Sequence, residues 1–583
     1  MSELSQTIPK KRIERRSVPA EFLEQAGLPP LLQRIYASRG VASCDELEYS
    51  LSHLLQLDSL TGAQSAADIL VEALQRNQRI IFVGDFDADG ATSTALGVLA
   101  LRMFGAAYVD YIVPNRFEFG YGLSPEIVDV ALSRQPDVLI TVDNGIASIE
   151  GVKAAKRAGL QVIVTDHHLA GDELPEADAI VNPNQPGCDF PSKSIAGVGV
   201  IFYVMLALRQ ALRDKGWFAA TGMIEPNLAN LLDLVALGTV ADVVSLDANN
   251  RILVEQGLRR IRAKRCRPGI NALLQVAGRS QEKLSASDLG FSIAPRLNAA
   301  GRLEDMTVGI ELLLTEDSAK ALMIAQELDG LNQARKEIER DMQAQALSIL
   351  DRMNWTYDNP PAAVCLYDES WHQGVVGILA SRIKDRMHRP VIAFAPGDNG
   401  ELKGSARSIP GLHIRDALDA VATKRSGLLS KFGGHAMAAG LSLRPENFAA
   451  FSEAFQEVVA AAVSADDLQA KLLTDGELSP EELCMNMAIT LKNAGPWGQS
   501  FPEPLFDGQF RIASCRIVGE RHLKMTLADN RSGNCYDAIY FNIDPATPFS
   551  EWDRVKVVFR LDINEFRGHS NLQLLIEYLE PCN

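Results

Sequence analysis

The chain has 583 residues, 47% of them hydrophobic, and a formal net charge of -17 at pH 7, a length that predicts three or four domains. The negative charge argues against nucleic-acid binding through bulk charge, so that any such binding needs a local basic channel. The chain lacks an apolar run of roughly 18 residues, an N-terminal secretory signal and any Cys-x-x-Cys pair among eight cysteines, which predicts a cytoplasmic protein with free thiols and no membrane span.

The N-terminal half of the chain predicts a small cap followed by a large α/β domain. Residues 1–65 mix short helical patterns with polar breaks and form the predicted cap. Within a domain at 66–314, continuous apolar strands at 80–83, 138–142 and 162–165 alternate with helices at 92–104 and 148–158. This alternation is typical of a parallel sheet that is covered on both faces.

The C-terminal half predicts a connecting helix and two smaller domains. A helical pattern with no proline runs over 315–352, within a connecting segment at 315–354. Strands at 362–367 and 390–394 flank a helix at 376–387 and predict a second α/β domain over 355–465. Five short strands between 509 and 578 predict an OB-like β-barrel in a domain over 466–583.

Three polar clusters follow the apolar strands of the first α/β domain. They are Asp85-Phe86-Asp87-Ala88-Asp89, Asp143-Asn144-Gly145 and Asp166-His167-His168. In parallel sheets, ligands gather beyond the carboxyl ends of the strands, and all three clusters fall there. Carboxylates massed beside imidazoles repel one another unless cations neutralise them, so the pattern predicts a metal site.

The aspartate triplet is open to other interpretations. An EF-hand needs a glutamate at the twelfth position, where this chain has Leu96, and a phosphate P-loop needs a following Gly-Lys-Ser/Thr, which is absent. A solvated turn in which an aspartate caps the next helix remains possible, as does a plain Asn144-Gly145 turn. In the metal interpretation, Asp87 and Asp89 lie in an extended segment, point the same way and share a pair of cations.

Taken together, these segments resemble the first three motifs of the DHH phosphoesterase superfamily. A fourth motif of that superfamily is an aspartate that ends an apolar helix, and residues 234–242 match it with Asp242. Asp233, at the start of the same stretch, is predicted to be structural or a helix cap.

The resemblance extends over nearly the whole chain. The segments 371–377, 404–407 and 433–440 resemble the associated DHHA1 domain. The segment Pro295-Arg296-Leu297-Asn298-Ala299-Ala300-Gly301-Arg302-Leu303 is similar to the RecJ branch of the superfamily, bacterial exonucleases that degrade single-stranded DNA from the 5′ end. The resemblance thus implies a parallel-sheet DHH domain, a long helix, a smaller α/β DHHA1 domain and a C-terminal OB-like barrel.

The resemblance also implies a two-metal centre. Two Mn²⁺ ions, or Mg²⁺ as a substitute, would activate water and stabilise the attacking and leaving oxygens. Asp143 would bridge the ions, and His168 would bind an ion or contact the scissile phosphate. Asp87, Asp143, His167 and His168 are the implied catalytic residues, and the implied metal ligands are Asp85, Asp87, Asp89, Asp143, His167 and Asp242.

Substrate contacts follow from the same resemblance. Arg116, Ser405 and Arg407 match positions that hold a 5′ phosphate, a role that suits guanidinium groups. Arg302 is the candidate for the scissile phosphate, and His435 lies in a Gly-Gly-His segment that can face a phosphate.

The predicted function is therefore a metal-dependent 5′→3′ exonuclease that acts on single-stranded DNA and releases 5′ mononucleotides in repair and recombination. We expect a cytoplasmic monomer whose partners include a single-strand-binding protein and a helicase. Two alternatives stay open from the residues alone: a phosphodiesterase on short oligonucleotides or cyclic dinucleotides, and a catalytically inactive scaffold that binds single strands.

Overall fold

The computed structural model describes residues 11–19, 27–114, 122–353, 361–397, 400–519, 521–545 and 547–582. They divide into two compact units. Unit 2 contains Arg39–Gln333 and Gly495–Glu503, and unit 1 contains the described residues of Met1–Ser38, Ala334–Ala494 and Pro504–Asn583. No helix in the described ranges combines the length and the apolar character that crossing a bilayer requires.

The strands, in chain order, are β1 (Arg12–Arg15), β2 (Arg79–Val83), β3 (Tyr108–Ile112), β4 (Val138–Val142), β5 (Gln161–Thr165), β6 (Ala179–Val181), β7 (Val364–Tyr367), β8 (Val391–Pro396), β9 (Leu402–Arg407), β10 (Lys431–Gly434), β11 (Ala438–Leu443), β12 (Lys471–Thr474), β13 (Phe506–Val518), β14 (His522–Asp529), β15 (Cys535–Tyr540), β16 (Arg554–Phe566) and β17 (His569–Pro581).

The α-helices are α1 (Pro30–Ala37), α2 (Ala63–Gln75), α3 (Ala88–Met103), α4 (Pro125–Leu132), α5 (Ile149–Arg157), α6 (Gly197–Asp214), α7 (Trp217–Thr221), α8 (Leu232–Ala241), α9 (Ala248–Arg262), α10 (Pro268–Val276), α11 (Ala286–Asp288), α12 (Ala294–Leu303), α13 (Thr307–Leu314), α14 (Ser318–Arg352), α15 (Val376–Met387), α16 (Ile414–Lys424), α17 (Phe448–Ala462) and α18 (Met485–Asn493).

Unit 2 is built on a five-stranded parallel sheet in the order β3-β2-β4-β5-β6. All five residues of β4 are buried, as expected for a strand with neighbours on both sides and helices on both faces. In the register of the sheet, Val83 lies beside Thr141, and Thr141 lies beside Val164. The carboxyl ends of these strands are therefore level, and the loops that follow them share one edge of the sheet.

Two helices in unit 2 are almost wholly enclosed. α3 is buried over Ala88–Leu101, and α8 is buried over Leu232–Thr239. α3 packs on both α6 and α8. Both helices thus lie inside the domain, and they position the loops at the edge of the sheet.

One local prediction is wrong. Helix α3 begins at Ala88, not at Thr92, so Asp89 lies in its first turn and not in an extended segment. The physical reason is capping, because the Asp87 side chain accepts a hydrogen bond from the Gly90 amide at 3.0 Å.

Unit 1 contains a mixed sheet and a barrel. The sheet runs β10-β11-β9-β8-β7, with β7 and β8 parallel and the remaining pairs antiparallel. β13, β14, β15, β17 and β16 close into a five-stranded barrel. β1 pairs in parallel with β12, so that Arg12 lies opposite Lys471.

The predicted fold class is confirmed. A parallel-sheet α/β domain, a smaller α/β domain and a C-terminal five-stranded barrel are all present. α14 is a continuous helix of 35 residues at the place where a long connecting helix was expected. The domain boundaries at 65, 314, 354 and 465 stay predictions.

Candidate functional site

Four segments of unit 2 bring acidic and histidine side chains to the carboxyl edge of the parallel sheet. Asp85 follows β2, Asp143 follows β4, and His167 follows β5. Asp242 caps the C-terminal end of α8. Because the strand ends are level, the loops that carry these residues lie side by side.

The side chains of these segments lie within ligand distance of one another. Oδ1 of Asp143 is 3.1 Å from Nε2 of His167, and Oδ2 of Asp242 is 3.5 Å from the same nitrogen. Within three sets, the candidate ligand atoms all lie within 4.8 Å of one another: Asp143, His167 and His168; Asp89, His167 and Asp242; and Asp85, Asp87 and Asp143. We call these seven residues the metal-centre cluster. It unites every residue that the resemblance implies for the two metals.

Burial and mutual repulsion disfavour the charged forms of these carboxylates. Burial, followed by the charge of Asp87, raises the pKa of Asp89 to about 7. Burial and the charges of Asp89 and Asp87 raise the pKa of both Asp143 and Asp242 well above the ordinary value. A divalent cation opposes both effects. The mixed carboxylate and imidazole donors fit Mn²⁺, and the carboxylates alone fit Mg²⁺.

Asp89 is anchored by the first turn of α6. Its Oδ2 accepts a hydrogen bond from the Gly197 amide at 2.7 Å, and its Oδ1 accepts one from the Val198 amide at 3.0 Å. Amides at a helix N-terminus have no partner within the helix and favour a negative charge. These bonds lower the pKa of Asp89 against the larger effect of burial. They fix the carboxylate at the floor of the cluster, where only 1% of the residue is exposed.

The loop that carries Asp85 and Asp87 is held by α12. The Ala88 amide donates to Oδ1 of Asn298 at 2.8 Å, which satisfies an N-terminal amide of α3 from outside that helix. A Cβ atom on Gly301 would lie 1.8 Å from the carbonyl oxygen of Phe86. The two backbones are therefore in direct contact, and only glycine fits at this position of α12.

Asp143 occupies a strained backbone conformation. Its φ is +61°, in the left-handed region that non-glycine residues seldom adopt. A Cβ atom on Gly197 would lie 2.7 Å from Oδ1 of Asp143, so the start of α6 also approaches this carboxylate closely. In this conformation the Asp143 carboxylate lies in the metal-centre cluster, where the residue is only 2% exposed.

Asp166 does not belong to the cluster but positions one of its members. Oδ1 of Asp166 accepts a hydrogen bond from Nδ1 of His168 at 2.7 Å, and its Oδ2 accepts one from the Ile146 amide at 2.9 Å. Burial lowers the pKa of His168, but the hydrogen bond and the charge of Asp166 outweigh it and raise that pKa to about 9. With Nδ1 engaged, the second ring nitrogen, Nε2, is the one that faces ligands.

Asp233 has the structural role that the sequence predicts. Its Oδ2 accepts a hydrogen bond from the Arg267 amide at 2.8 Å, and its Oδ1 accepts one from the Leu234 amide at 3.0 Å. It lies in the first turn of α8, whereas Asp242 follows the last residue of that helix. The two aspartates therefore lie at opposite ends of one buried helix.

Unit 1 places Ser405 and Arg407 together on one face of β9. Nη1 of Arg407 donates to Oγ of Ser405 at 3.0 Å and to the Ala406 carbonyl at 2.8 Å. A Cβ atom on Gly377, the second residue of α15, would lie 2.8 Å from Nη2 of Arg407. The guanidinium and the hydroxyl thus border the first turn of a helix, whose amides favour anions. Burial lowers the pKa of Arg407, because the charge is held away from water.

The other three predicted substrate contacts are His435, Arg302 and Arg116, and the structure describes the first two. His435 is exposed in the turn between β10 and β11, and its amide donates to the Ala438 carbonyl at 2.8 Å. Arg407 pairs with Ala438 across the sheet, so His435 lies at the same end of that sheet. Arg302 is partly exposed on α12, directly after Gly301. Arg116 lies outside the described residues.

The sequence assigns no role to several residues that shape the site. Asn298 and Gly301 belong to the motif at 295–303, and the sequence predicts no packing role for Gly197 or Gly377. A Gly-Val-Gly sequence begins the apolar helix α6 at 197–199, and this pattern is a signal that another segment approaches the start of the helix closely. For Asn298 the sequence offers no local signal, because its partner is 210 residues away.

Three family models match the chain. The model described as the DHH family, N-terminal domain, matches residues 79–239, the DHHA1 domain matches 359–461, and the RecJ OB domain matches 474–578. In chain order, the three matches fall on the parallel sheet of unit 2, the mixed sheet and the barrel. The resemblance that the sequence motifs carry is confirmed by these matches.

Curated relatives and solved structures agree with the family models. The single-stranded-DNA-specific exonuclease RecJ of Escherichia coli is 57% identical over 98% of this chain and 99% of its own length. Its counterpart in Haemophilus influenzae is 52% identical over 98% of this chain and 100% of its own length. A crystal structure of RecJ in complex with Mn²⁺ from Thermus thermophilus has a TM-score of 0.80 and 30% identity, covering 98% of this chain and 80% of that chain. The Mg²⁺ complex from the same organism has a TM-score of 0.75, with 98% and 79% covered.

Proposed function

Since the chain belongs to the RecJ family of single-stranded-DNA-specific exonucleases, we propose that it hydrolyses the phosphodiester bonds of single-stranded DNA from the 5′ end with two divalent cations. Its reaction class is metal-dependent hydrolysis, and its cofactor is Mn²⁺ or Mg²⁺. The observation that carries the proposal is the metal-centre cluster. Its buried carboxylates repel one another and need cations to stay charged at neutral pH.

The ligands we propose are Asp85, Asp87, Asp89, Asp143, His167 and Asp242, with Asp143 shared between the two ions. Asp143 is suited to sharing because its carboxylate belongs to two of the three ligand sets. When bound, the ions supply an activated water and neutralise charge on the phosphate oxygens. The strained backbone of Asp143 and the α6 anchor of Asp89 keep these carboxylates in place before the substrate arrives.

His168 is the proposed contact for the scissile phosphate in this cluster. Asp166 holds Nδ1, which leaves Nε2 to donate, and the hydrogen bond and charge of Asp166 raise the pKa of the ring and so favour its protonated form. Arg302 adds a second cationic contact to the same phosphate. Both groups would stabilise negative charge that builds on the phosphate as the bond breaks.

The 5′ polarity rests on Ser405 and Arg407, with Arg116 as a third member. A terminal phosphate monoester carries more charge than an internal diester, so a desolvated guanidinium beside a helix N-terminus favours the strand end. The burial of Arg407 and its contact with Ser405 support this role. His435, at the same end of the sheet, is the proposed additional contact for that phosphate.

We further propose that the chain acts as a cytoplasmic monomer in DNA repair and recombination. Its eight cysteines are all free, which suits a reducing compartment. A helicase would supply single strands from duplex ends, and a single-strand-binding protein would present them. Sedimentation of the purified chain and co-purification with these two partners test this part.

The central experiment measures degradation of a single strand labelled at its 3′ end, with either a 5′ phosphate or a 5′ hydroxyl, in the presence of Mn²⁺. Duplex DNA and single-stranded RNA of the same sequence are the substrate controls. We expect the label to stay on progressively shorter strands, because mononucleotides are released from the 5′ end, and we expect faster turnover of the phosphorylated strand. Shortening from the 3′ end, or equal turnover of duplex and single strand, would contradict the proposal.

The variant Asp143→Ala tests the shared ligand. We expect no measurable turnover and retained binding of single-stranded DNA, measured by fluorescence anisotropy. Asp172→Ala is the matched control because it removes an exposed carboxylate from a loop of the same unit. Wild-type turnover by Asp143→Ala would refute the role of that carboxylate.

A further inference from the structure

The most basic segment of unit 2 lies away from the metal-centre cluster. Six of the nine residues at 259–267 are arginine or lysine, in a chain whose net charge is -17. The segment covers the end of α9 and the turn that follows it. Nothing in the proposed hydrolysis uses these charges.

The turn after α9 folds the segment back on itself. The Arg265 amide donates to the Arg260 carbonyl at 3.1 Å, and the Lys264 amide donates to the Ile261 carbonyl at 2.9 Å. This pair of bonds, with Lys264 at a φ of +58°, forms a Schellman motif. The last carbonyls of α9 are thereby satisfied by backbone amides, and the turn returns Arg265 to the side of Arg259 and Arg260.

These three arginines line one cavity of about 190 Å³. A water molecule takes up about 30 Å³ in the liquid, so the cavity has room for a group of several heavy atoms. No carboxylate lines it, and its other lining residues are Ala229, Leu232, Gln256 and Ala263. A cavity with three guanidinium groups and an otherwise neutral wall attracts an anion.

The charges inside the cavity are only partly compensated by the described residues. Nε of Arg259 pairs with Glu255 at 2.7 Å. Nε of Arg260 is buried and makes no hydrogen bond within the described ranges. Asp233 interacts electrostatically with Arg260, but both of its oxygens already accept backbone amides. A buried donor without an acceptor is costly, and a bound anion would supply that acceptor.

We propose that this cavity, the arginine pocket, binds a phosphate group. Arginine presents paired N–H donors that match phosphate oxygens, and three such groups favour a doubly charged or bridging oxyanion. The phosphate belongs either to the backbone of a DNA strand or to a free nucleotide. These sources share one chemistry and are separated by the experiment below.

The arginine pocket is distinct from the metal-centre cluster. Leu232, which lines the pocket, is the first residue of α8, and Asp242 directly follows the last. At 1.5 Å per residue, this helix separates the two sites by about 15 Å. A phosphate in the pocket is therefore not the phosphate that is cleaved.

The test uses the metal-loaded full chain and compares Arg260→Gln, Arg265→Gln and the double variant with Arg157→Gln. Arg157 is an exposed arginine at the end of α5, so its replacement makes the same change in charge outside the pocket. Inorganic phosphate and deoxyadenosine monophosphate are titrated separately by calorimetry into these chains. A 20-nucleotide strand is titrated into the same chains carrying Asp143→Ala, so that the strand is bound without being cleaved. Arg265 is exposed, so Arg265→Gln keeps the test valid if the Arg260 variants fail to fold.

We expect each single pocket variant to weaken binding by about tenfold, the typical effect of one charge-assisted hydrogen bond, and the double variant to weaken it further, while Arg157→Gln binds as the wild type does. Weakened binding of the nucleotide or phosphate assigns the pocket to a free ligand. Weakened binding of the strand alone, with a salt-dependence slope reduced by about 0.7, assigns it to the DNA backbone. Binding of all three probes that matches Arg157→Gln would overturn the proposal. We expect the pocket variants to cleave a short strand at the wild-type rate. Weakened binding at the pocket can therefore be told apart from a failure of the metal centre.

Discussion

Gly301→Ala is expected to disable the metal centre by moving one loop. A Cβ atom at 301 would lie 1.8 Å from the Phe86 carbonyl oxygen, whereas real Cβ atoms stay at least 3.0 Å from other heavy atoms. The two backbones must therefore separate by about 1.2 Å, and no side-chain rotation relieves the contact. The residues on either side of Phe86 are Asp85 and Asp87, two of the proposed ligands.

The expected cost is larger in catalysis than in stability. Overpacking of this kind destabilises a protein by about 1–3 kcal/mol, and alanine recovers up to about 1 kcal/mol in a helix interior. A displacement of about 1 Å in a catalytic group costs roughly 10²-fold in rate. We therefore expect Gly301→Ala to stay folded, to bind Mn²⁺ more weakly and to lose about 10²-fold in kcat/KM.

Three measurements check this prediction: thermal unfolding, calorimetric titration of Mn²⁺, and kcat/KM on a 5′-phosphorylated single strand. Gly330→Ala is the matched control, because Gly330 lies within α14 and an added Cβ there meets no atom within 4 Å. The control should keep the wild-type rate and gain slightly in stability. Gly301→Ala with wild-type Mn²⁺ affinity and rate would refute the role of the Gly301 contact.

Three further predictions concern charge. First, burial raises the pKa of Asp89 to about 7, so the folded metal-free chain holds a proton that the unfolded chain releases near pH 4. Its free energy of unfolding should fall as the pH rises from about 4 to 7 and recover with Mn²⁺; urea titrations with no such slope would contradict this. Second, Asp166→Asn should lower the pKa of His168 from about 9 and reduce the rate by about 10–100-fold; an NMR titration that leaves this pKa unchanged would contradict it. Third, Arg407→Ala should reduce the preference for a 5′ phosphate over a 5′ hydroxyl by at least about tenfold, whereas the exposed Arg415→Ala should not; an unchanged preference in competition assays would exclude Arg407 from the 5′ site.

The sequence predicted the elements whose causes are local. The strands at 80–83, 138–142 and 162–165 are apolar except for Thr141 and Thr165, and each lies within an observed strand. The edge of the sheet at which ligands gather follows from strand direction alone. For this reason the sequence alone predicts Asp85, Asp143 and His167 in one crevice.

The sequence did not predict the features that depend on distant partners. Asp89 is held by amides 108 and 109 residues away, and the Ala88 amide by Asn298, 210 residues away. From helix propensity alone, α3 is predicted to begin at Thr92, because aspartate and glycine are weak helix formers in an interior position. In the structure, capping by Asp87 and the tertiary hydrogen bonds outweigh this low propensity, and the helix begins at Ala88.

The parallel pairing of β1 with β12 has a consequence for biosynthesis. Arg15 and Thr474 are partners in this pairing, yet synthesis at roughly 5–20 residues per second separates them by about 20–90 s. By the time Lys471 is made, the strands and helices that carry the metal-centre cluster, up to Asp242, have long been available to fold. The proposed catalytic residues are thus synthesised early, whereas β1 keeps an unpaired, exposed edge until β12 has been synthesised.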